Sequence, residues 1–176
     1  LFQCKEWDDS YEEDYLMGAD IDYENQNIKG DVINWGKWIV NEIDFDGFRF
    51  DASKHVDNGM IHDFIEEVNQ STDKELFFIG EAWVNEAEKL ADYLNTVDQD
   101  KLHVFDFPLR ESFIKMMQGN LDMRWLGDKG LVNQEDFKDR AVTFVENHDT
   151  ERDGSNEYGT EAIVHRKMQA YCYILM

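Results

Sequence analysis

Gly47-Phe48-Arg49-Phe50-Asp51-Ala52-Ser53-Lys54-His55 is the stretch on which the reading of this chain turns, with Asp44-Phe45-Asp46 leading into it. It begins as a short strand, in which alternate side chains point to opposite faces. Phe48 and Phe50 therefore share one face, and Arg49 and Asp51 share the other. The phenylalanines suit a covering layer of helices. The arginine and the carboxylate point together to the opposite side, at the C-terminal end of the strand, where α/β barrels keep their reacting groups. A buried ion pair is a poor way to stabilise a packed interior. The paired charge therefore reads as a functional site before it reads as a structural one.

Outward from this strand the pattern alternates. Asp31 reads as the cap of a preceding helix with Val32, Trp35, Trp38 and Ile39 at helical spacing. A helix bearing Ile61, Phe64, Ile65 and Val68 follows the strand and ends in Asn69-Gln70-Ser71. A second strand over 76–80 delivers Glu81, and a helix over 85–95 turns Leu90, Tyr93 and Leu94 inward. A third strand over 103–107 is closed by Pro108, before a helix with Phe113, Met116 and Met117. Residues 118–139 are punctuated by glycine, with at most short helical turns; a fourth strand covers 141–145 and a last helix 160–176. Such alternation predicts an α/β fold of parallel strands with right-handed crossovers.

Composition narrows the function. The 39 acidic residues outnumber 17 basic ones, giving a formal charge of −22 that repels phosphate backbones and anionic membrane surfaces. Nucleic acid is excluded as a partner on this ground, while calcium or a neutral polymer stays compatible. No apolar run has membrane length. An aromatic content of 14% rules out an acidic disordered tail. Cys4 and Cys172 are too few and too distant for a disulfide framework, and free thiols lean slightly towards a reducing, cytoplasmic setting. The chain begins at Leu1 and stops at Met176 within an apolar helical run, and 176 residues fall short of the ~250 of a whole barrel. It is expected to be a fragment of one domain.

Three motifs carry a resemblance. Gly47-Phe48-Arg49-Phe50-Asp51-Ala52-Ser53-Lys54-His55 resembles the fourth-strand motif of glycoside hydrolase family 13, the alpha-amylase family. Phe78-Ile79-Gly80-Glu81-Ala82-Trp83 is similar to the fifth-strand motif, and Phe144-Val145-Glu146-Asn147-His148-Asp149 to the seventh. The resemblance implies a partial (β/α)8 barrel, strands four to seven of the eight. It implies endo-acting, retaining hydrolysis of α-1,4-glucan, with starch or glycogen as partner and a monomeric intact protein. Asp51 is then the nucleophile, Glu81 the acid and Asp149 the carboxylate that stabilises the transition state. Arg49, Lys54, His55 and His148 take the substrate-binding places. The absent third strand carries a further family motif, so the fragment is expected to be inactive alone and, with bare sheet edges, poorly soluble.

The residues alone allow part of this chemistry. A retaining glycosidase needs an ionised carboxylate and a protonated carboxyl about 5–5.5 Å apart. Arg49 on the face of Asp51 favours the anion, whereas Ile79, Ala82 and Trp83 surround Glu81 with apolar groups that favour its neutral form. Taken singly, Asp51 reads equally as a helix N-cap, Glu81 as a surface acid and Asn147-His148-Asp149 as a turn. Trp83 and Tyr15 are candidates to stack on sugar rings, and core or rim aromatics otherwise. Asp149-Thr150-Glu151-Arg152-Asp153-Gly154 begins like an EF-hand loop, but Thr160 stands where its glutamate belongs.

Residues 1–27 crowd Asp8, Asp9, Glu12, Glu13, Asp14, Asp20, Asp22 and Glu24 on a loop-like segment, a setting that suits Ca2+ or simply solvent. Tyr15-Leu16-Met17-Gly18-Ala19-Asp20-Ile21-Asp22-Tyr23 resembles the calcium-binding loop of the bacterial liquefying-type members of the family. By that resemblance Asp14, Asp20 and the backbone carbonyl of His55 bind a structural calcium. Asp8, Asp22 and Glu24 belong to a neighbouring metal cluster, where Glu24 departs from the usual aspartate. Related α-glucosidases and glucan-transferring enzymes share the three motifs. A non-catalytic glucan-binding protein is the reading from another class, disfavoured because all three acids are present.

Overall fold

The computed structural model describes residues 21–151 and 162–176. Asp8, Asp14 and Asp20, and with them most of the expected calcium loop, lie outside the described residues, as do Tyr15 and the end of the EF-hand-like run. The elements follow in the order α1 (Gln26–Glu42), β1 (Gly47–Phe50), α2 (Asn58–Asn69), β2 (Phe77–Gly80), α3 (Ala87–Val97), β3 (Leu102–Phe105), α4 (Phe107–Met117), β4 (Ala141–Val142) and α5 (Lys167–Leu175). Strand order is β1-β2-β3-β4. β1 runs parallel to β2 with Arg49 opposite Ile79, and β3 runs parallel to β4 with Phe105 opposite Val142. Among the described residues no helix is long and apolar enough to cross a membrane.

Two compact units divide the chain. One runs through Ala82 and adds Tyr93–His103; the other comprises Trp83–Asp92 and Val104–Met176. In the first unit, α1 and α2 pack against each other beside β1 and β2. Gly36 makes that packing close: a Cβ there would fall 2.5 Å from the Phe64 ring. Phe64 in turn meets Phe48 and Phe50 edge-on, at centroid distances of 5.0 and 5.5 Å. The apolar face of β1 is thus covered by helices, as its alternation requires. In the second unit Leu109, Phe113, Ile114 and Met116 of α4 bury against Leu126, Val145, Ile163 and Ala170.

Several boundaries differ from the sequence expectation for physical reasons. α1 is capped by Asn25, whose side chain accepts from the Asn27 N–H, so Asp31 lies inside the helix. Its core face is Ile33, Gly36 and Val40, leaving Trp35 and Trp38 half exposed. The indoles cannot approach α2 as closely as Gly36 does, and the register follows the close contact. Pro108 does not close β3. It sits in the first turn of α4, where its missing N–H is no loss, and Asp106 caps that helix. β4 is only two residues long, and α5 begins at Lys167.

Candidate active site

The first unit brings three of the predicted residues together. Where the β1–β2 ladder ends, Glu81 N donates to Phe50 O at 2.9 Å and Ser53 N donates to Glu81 O at 3.1 Å. These two bonds fix the strand ends that bear Asp51 and Glu81. Ala52 between them is left-handed, at φ 44° and ψ 43°, a conformation that costs a side-chain-bearing residue about 1–2 kcal/mol. The turn it makes aims the Ala52 N–H at Glu81 Oε2, 3.2 Å away. Asp51 does not cap the next helix; Asp57 does, accepting from Met60 N at 2.7 Å.

Arg49 bridges the two acids. Its Nη1 donates to Asp51 Oδ1 at 2.6 Å, and its Nη2 lies 3.1 Å from Glu81 Oε2. One guanidinium therefore spans both carboxyl groups, whose environments nevertheless differ. The Asp51 side chain is 77% exposed and that of Glu81 only 8%. Burial raises the Glu81 carboxyl above its ordinary range. The Ala52 N–H and the Arg49 charge oppose that rise, whereas the charge of Asp51 and a hydrogen bond with it add to it. Glu81 Oε1 has no hydrogen-bond partner among the described residues. A buried carboxyl whose pKa is raised, beside an exposed carboxyl, is the pairing that general acid and nucleophile require.

Lys54 and His55 follow on a 3-10 turn (Ser53–His55), both half-buried, with His55 N donating to Ala52 O at 2.9 Å. The second unit carries the remaining carboxylate. Asn147 Oδ1 accepts from the N–H groups of Asp149 and Thr150, both at 3.0 Å, and Thr150 Oγ1 accepts from Asn147 N at 2.9 Å. Asn147-His148-Asp149 is therefore a turn, and the turn presents His148 and Asp149 outward. Their side chains are 70% and 34% exposed, with His148 Nε2 3.1 Å from Asp149 Oδ2. Trp83 stacks on Phe107 at 4.7 Å, which favours the rim-aromatic reading over a sugar platform.

Sequence reasoning missed Ala52, whose contribution is a backbone N–H that no residue identity announces. It also missed the buried pair Arg110–Glu146; Arg110 is followed by Glu111 and Ser112, so the local pattern does not mark it as buried. Of the expected calcium ligands, Asp22, Glu24 and His55 are described. Among the described residues no three His, Cys, Asp or Glu side chains cluster closely enough to hold a metal.

A family model described as alpha amylase, catalytic domain, matches residues 2–176. The chain belongs to the alpha-amylase family. An alpha-amylase of Bacillus licheniformis is 38% identical over 99% of this chain and 34% of its own length. The cytoplasmic alpha-amylase of Escherichia coli (strain K12) is 35% identical over 82% of the chain and 30% of its own length. Among solved structures, the alpha-amylase of Geobacillus thermoleovorans complexed with acarbose superposes with a TM-score of 0.60 at 27% identity, over 75% of this chain and 29% of that one. The chain thus spans about a third of the length of the relatives it matches. Its fold is α/β with parallel strands, part of a (β/α)8 barrel.

Proposed function

We propose that this chain belongs to an enzyme that cleaves α-1,4-glucosidic bonds within starch, glycogen or related glucans with retention of configuration, and that both compact units are parts of one catalytic barrel domain. The observation that carries the reading is the Arg49 bridge between exposed Asp51 and buried Glu81 on adjacent parallel strands. Carboxyls held at the two ends of one guanidinium are compatible with the ~5–5.5 Å separation of a retaining mechanism.

Asp51 attacks the anomeric carbon while Glu81 gives its proton to the departing glycosidic oxygen, so the bond breaks as the Asp51 ester forms. Glu81, now ionised, takes a proton from water. The resulting hydroxide attacks the same carbon, releases Asp51 and leaves Glu81 protonated again. Arg49 holds Asp51 in place between the two steps. Asp149 and His148 bind sugar hydroxyls, with Asp149 stabilising the oxocarbenium-like transition state, and Lys54 and His55 bind the leaving side of the chain. Ca2+ is assigned to residues 1–27, through Asp14, Asp20 and the His55 carbonyl, with a second cluster at Asp8, Asp22 and Glu24. It would supply loop rigidity and no chemical step. The donor set formed by the described residues does not suffice without Asp14 and Asp20.

The test is hydrolysis of starch by the intact protein beside Asp51→Asn and Glu81→Gln. Glu81→Gln lowers kcat by about 10²–10⁴-fold, and a substrate whose leaving group needs no proton recovers most of the first step. Asp51→Asn recovers nothing with that substrate. Full activity of a folded Asp51→Asn would end the assignment. A ladder of oligomers as first products separates the endo-acting reading from an α-glucosidase, which releases glucose first.

A further inference from the structure

We infer that Arg110 and Glu146 form a positioning pair that sets the loop carrying His148 and Asp149; the inference rests on the proposed role of Asp149. The pairing of β3 with β4 ends at Val142, where Asp106 N donates to Val142 O at 2.9 Å. The strand that should deliver the Asn147–Asp149 turn is therefore too short to fix it by sheet hydrogen bonds. Side chains hold the segment instead. Arg110, on the first turn of α4, donates through Nε to Val145 O at 3.2 Å and through Nη2 to Glu146 Oε2 at 2.9 Å. Glu146 accepts from Ile163 N through its other oxygen, which ties the loop to the chain beyond it. The side chains of Arg110 and Glu146 are 3% and 6% exposed.

The next residue, Asn147, opens the turn whose hydrogen bonds to Asp149 N and Thr150 N orient the carboxylate. Buried Val145 and Thr150 anchor the segment on either side. The pair thus holds two consecutive residues, Val145 and Glu146, from one planar fork on a rigid helix. Such a fork fixes direction as well as distance. Neither side chain touches substrate. Their effect passes through the backbone to Asp149, and misplacing a reacting group by about 1 Å costs on the order of 100-fold in rate.

The test compares the intact wild type with Arg110→Met, the double variant Arg110→Met/Glu146→Gln, Arg110→Lys and Asp149→Asn, measuring thermal stability and kcat and KM on a maltooligosaccharide. Arg110→Met strands a buried carboxylate and should lose both stability and rate. The double variant removes the stranded charge while Gln still accepts from Ile163 N, so stability should return. Its kcat should stay about 100-fold down with KM within about threefold of wild type. Recovery of kcat together with stability would overturn the inference, since the pair would then be structural only. Arg110→Lys serves if the double variant does not fold: a single ammonium cannot hold Val145 O and Glu146 in the same geometry, and kcat should fall about tenfold. Unchanged kcat in folded Arg110→Lys would equally overturn it. Should Asp149→Asn be inactive while the pair variants match wild type, the positioning inference alone fails. Should Asp149→Asn remain fully active, the reading of Asp149 fails and the inference falls with it.

Discussion

Replacing Gly80 by alanine perturbs the active site through half an ångström. Gly80 ends β2 immediately before Glu81, and a Cβ built there lies 2.9 Å from Ser53 Oγ and 3.4 Å from Ser53 Cβ, against an ordinary contact of 3.4 Å or more. Ser53 is wholly buried, so its hydroxyl has little room to rotate away. The displacement passes into the backbone of Ala52 and Ser53, whose N–H groups hold Glu81 Oε2 and Glu81 O at 3.2 and 3.1 Å. Overpacking of this size should destabilise by about 1–2 kcal/mol, which lowers the melting temperature by about 2–8 °C in a domain of this size or larger. Activity should fall as well, because the strand ends bearing the proposed nucleophile and acid are pushed apart; about tenfold in kcat is the scale, since a misplacement of about 1 Å costs on the order of 100-fold. Adding Ser53→Ala removes the 2.9 Å contact and should restore most of both. The assay is melting by circular dichroism beside kcat on starch, for wild type, both single variants and the double. Gly80→Ala as stable and active as wild type, or a double variant no better than Gly80→Ala alone, would refute the reasoning.

Three further outcomes follow from the same geometry. In the proposed mechanism Glu81 acts as an acid, and its pKa is raised chiefly by burial; kcat/KM should therefore fall as pH rises through that raised value, and the residual activity of Arg49→Met should show this limb moved higher, because the Arg49 charge opposes the rise. A pH profile with no basic limb assignable to a carboxyl would contradict this. Asp106 accepts from Leu109, Leu131 and Val132 N–H at 3.0, 2.9 and 2.9 Å in full burial, so Asp106→Ala should cost about 3 kcal/mol or more by stranding three donors, read as a lower urea midpoint. Burial raises the Asp106 carboxyl against those three N–H bonds; its stabilising proton is retained below the ordinary carboxylate pKa and lost as pH rises through the raised one, so wild type should lose stability over that window and Asp106→Ala should not. For calcium, chelation of the intact protein should lower the melting temperature and Asp20→Asn should lower it with the chelator absent; a melting curve indifferent to both would remove Ca2+ from the proposal.

How much of this was legible beforehand differs from residue to residue. The alternation Phe48-Arg49-Phe50-Asp51 gave the covered face of β1 and the charged one, because a strand's period of two leaves only those two sides. The buried faces of α2 and α3 followed from helical spacing. The register of α1 did not, since Trp35 and Trp38 outweigh Gly36 in hydrophobicity while Gly36 alone permits the close approach to Phe64. Pro108 signalled an element boundary correctly but not which side of it the residue occupies. The turn at Asn147 and the outward carboxylate of Asp149, weighed as rivals, are one structure: the turn is what presents the acid.

By itself the sequence determined the class of fold and the family and named the candidate acids, because each of these depends on residue type at local spacing. The apolar neighbours of Glu81 and the arginine beside Asp51 already pointed to a difference between the two acids. What tertiary structure alone decided is that residues thirty positions apart share one arginine, with the Asp51 side chain 77% exposed and that of Glu81 8%. Parallel pairing of β1 with β2 sets them side by side. The left-handed turn at Ala52 then brings an N–H onto Glu81, and one arginine spans both. Desolvation is a property of everything packed around a group, so the upward shift of the Glu81 carboxyl depends on the folded chain.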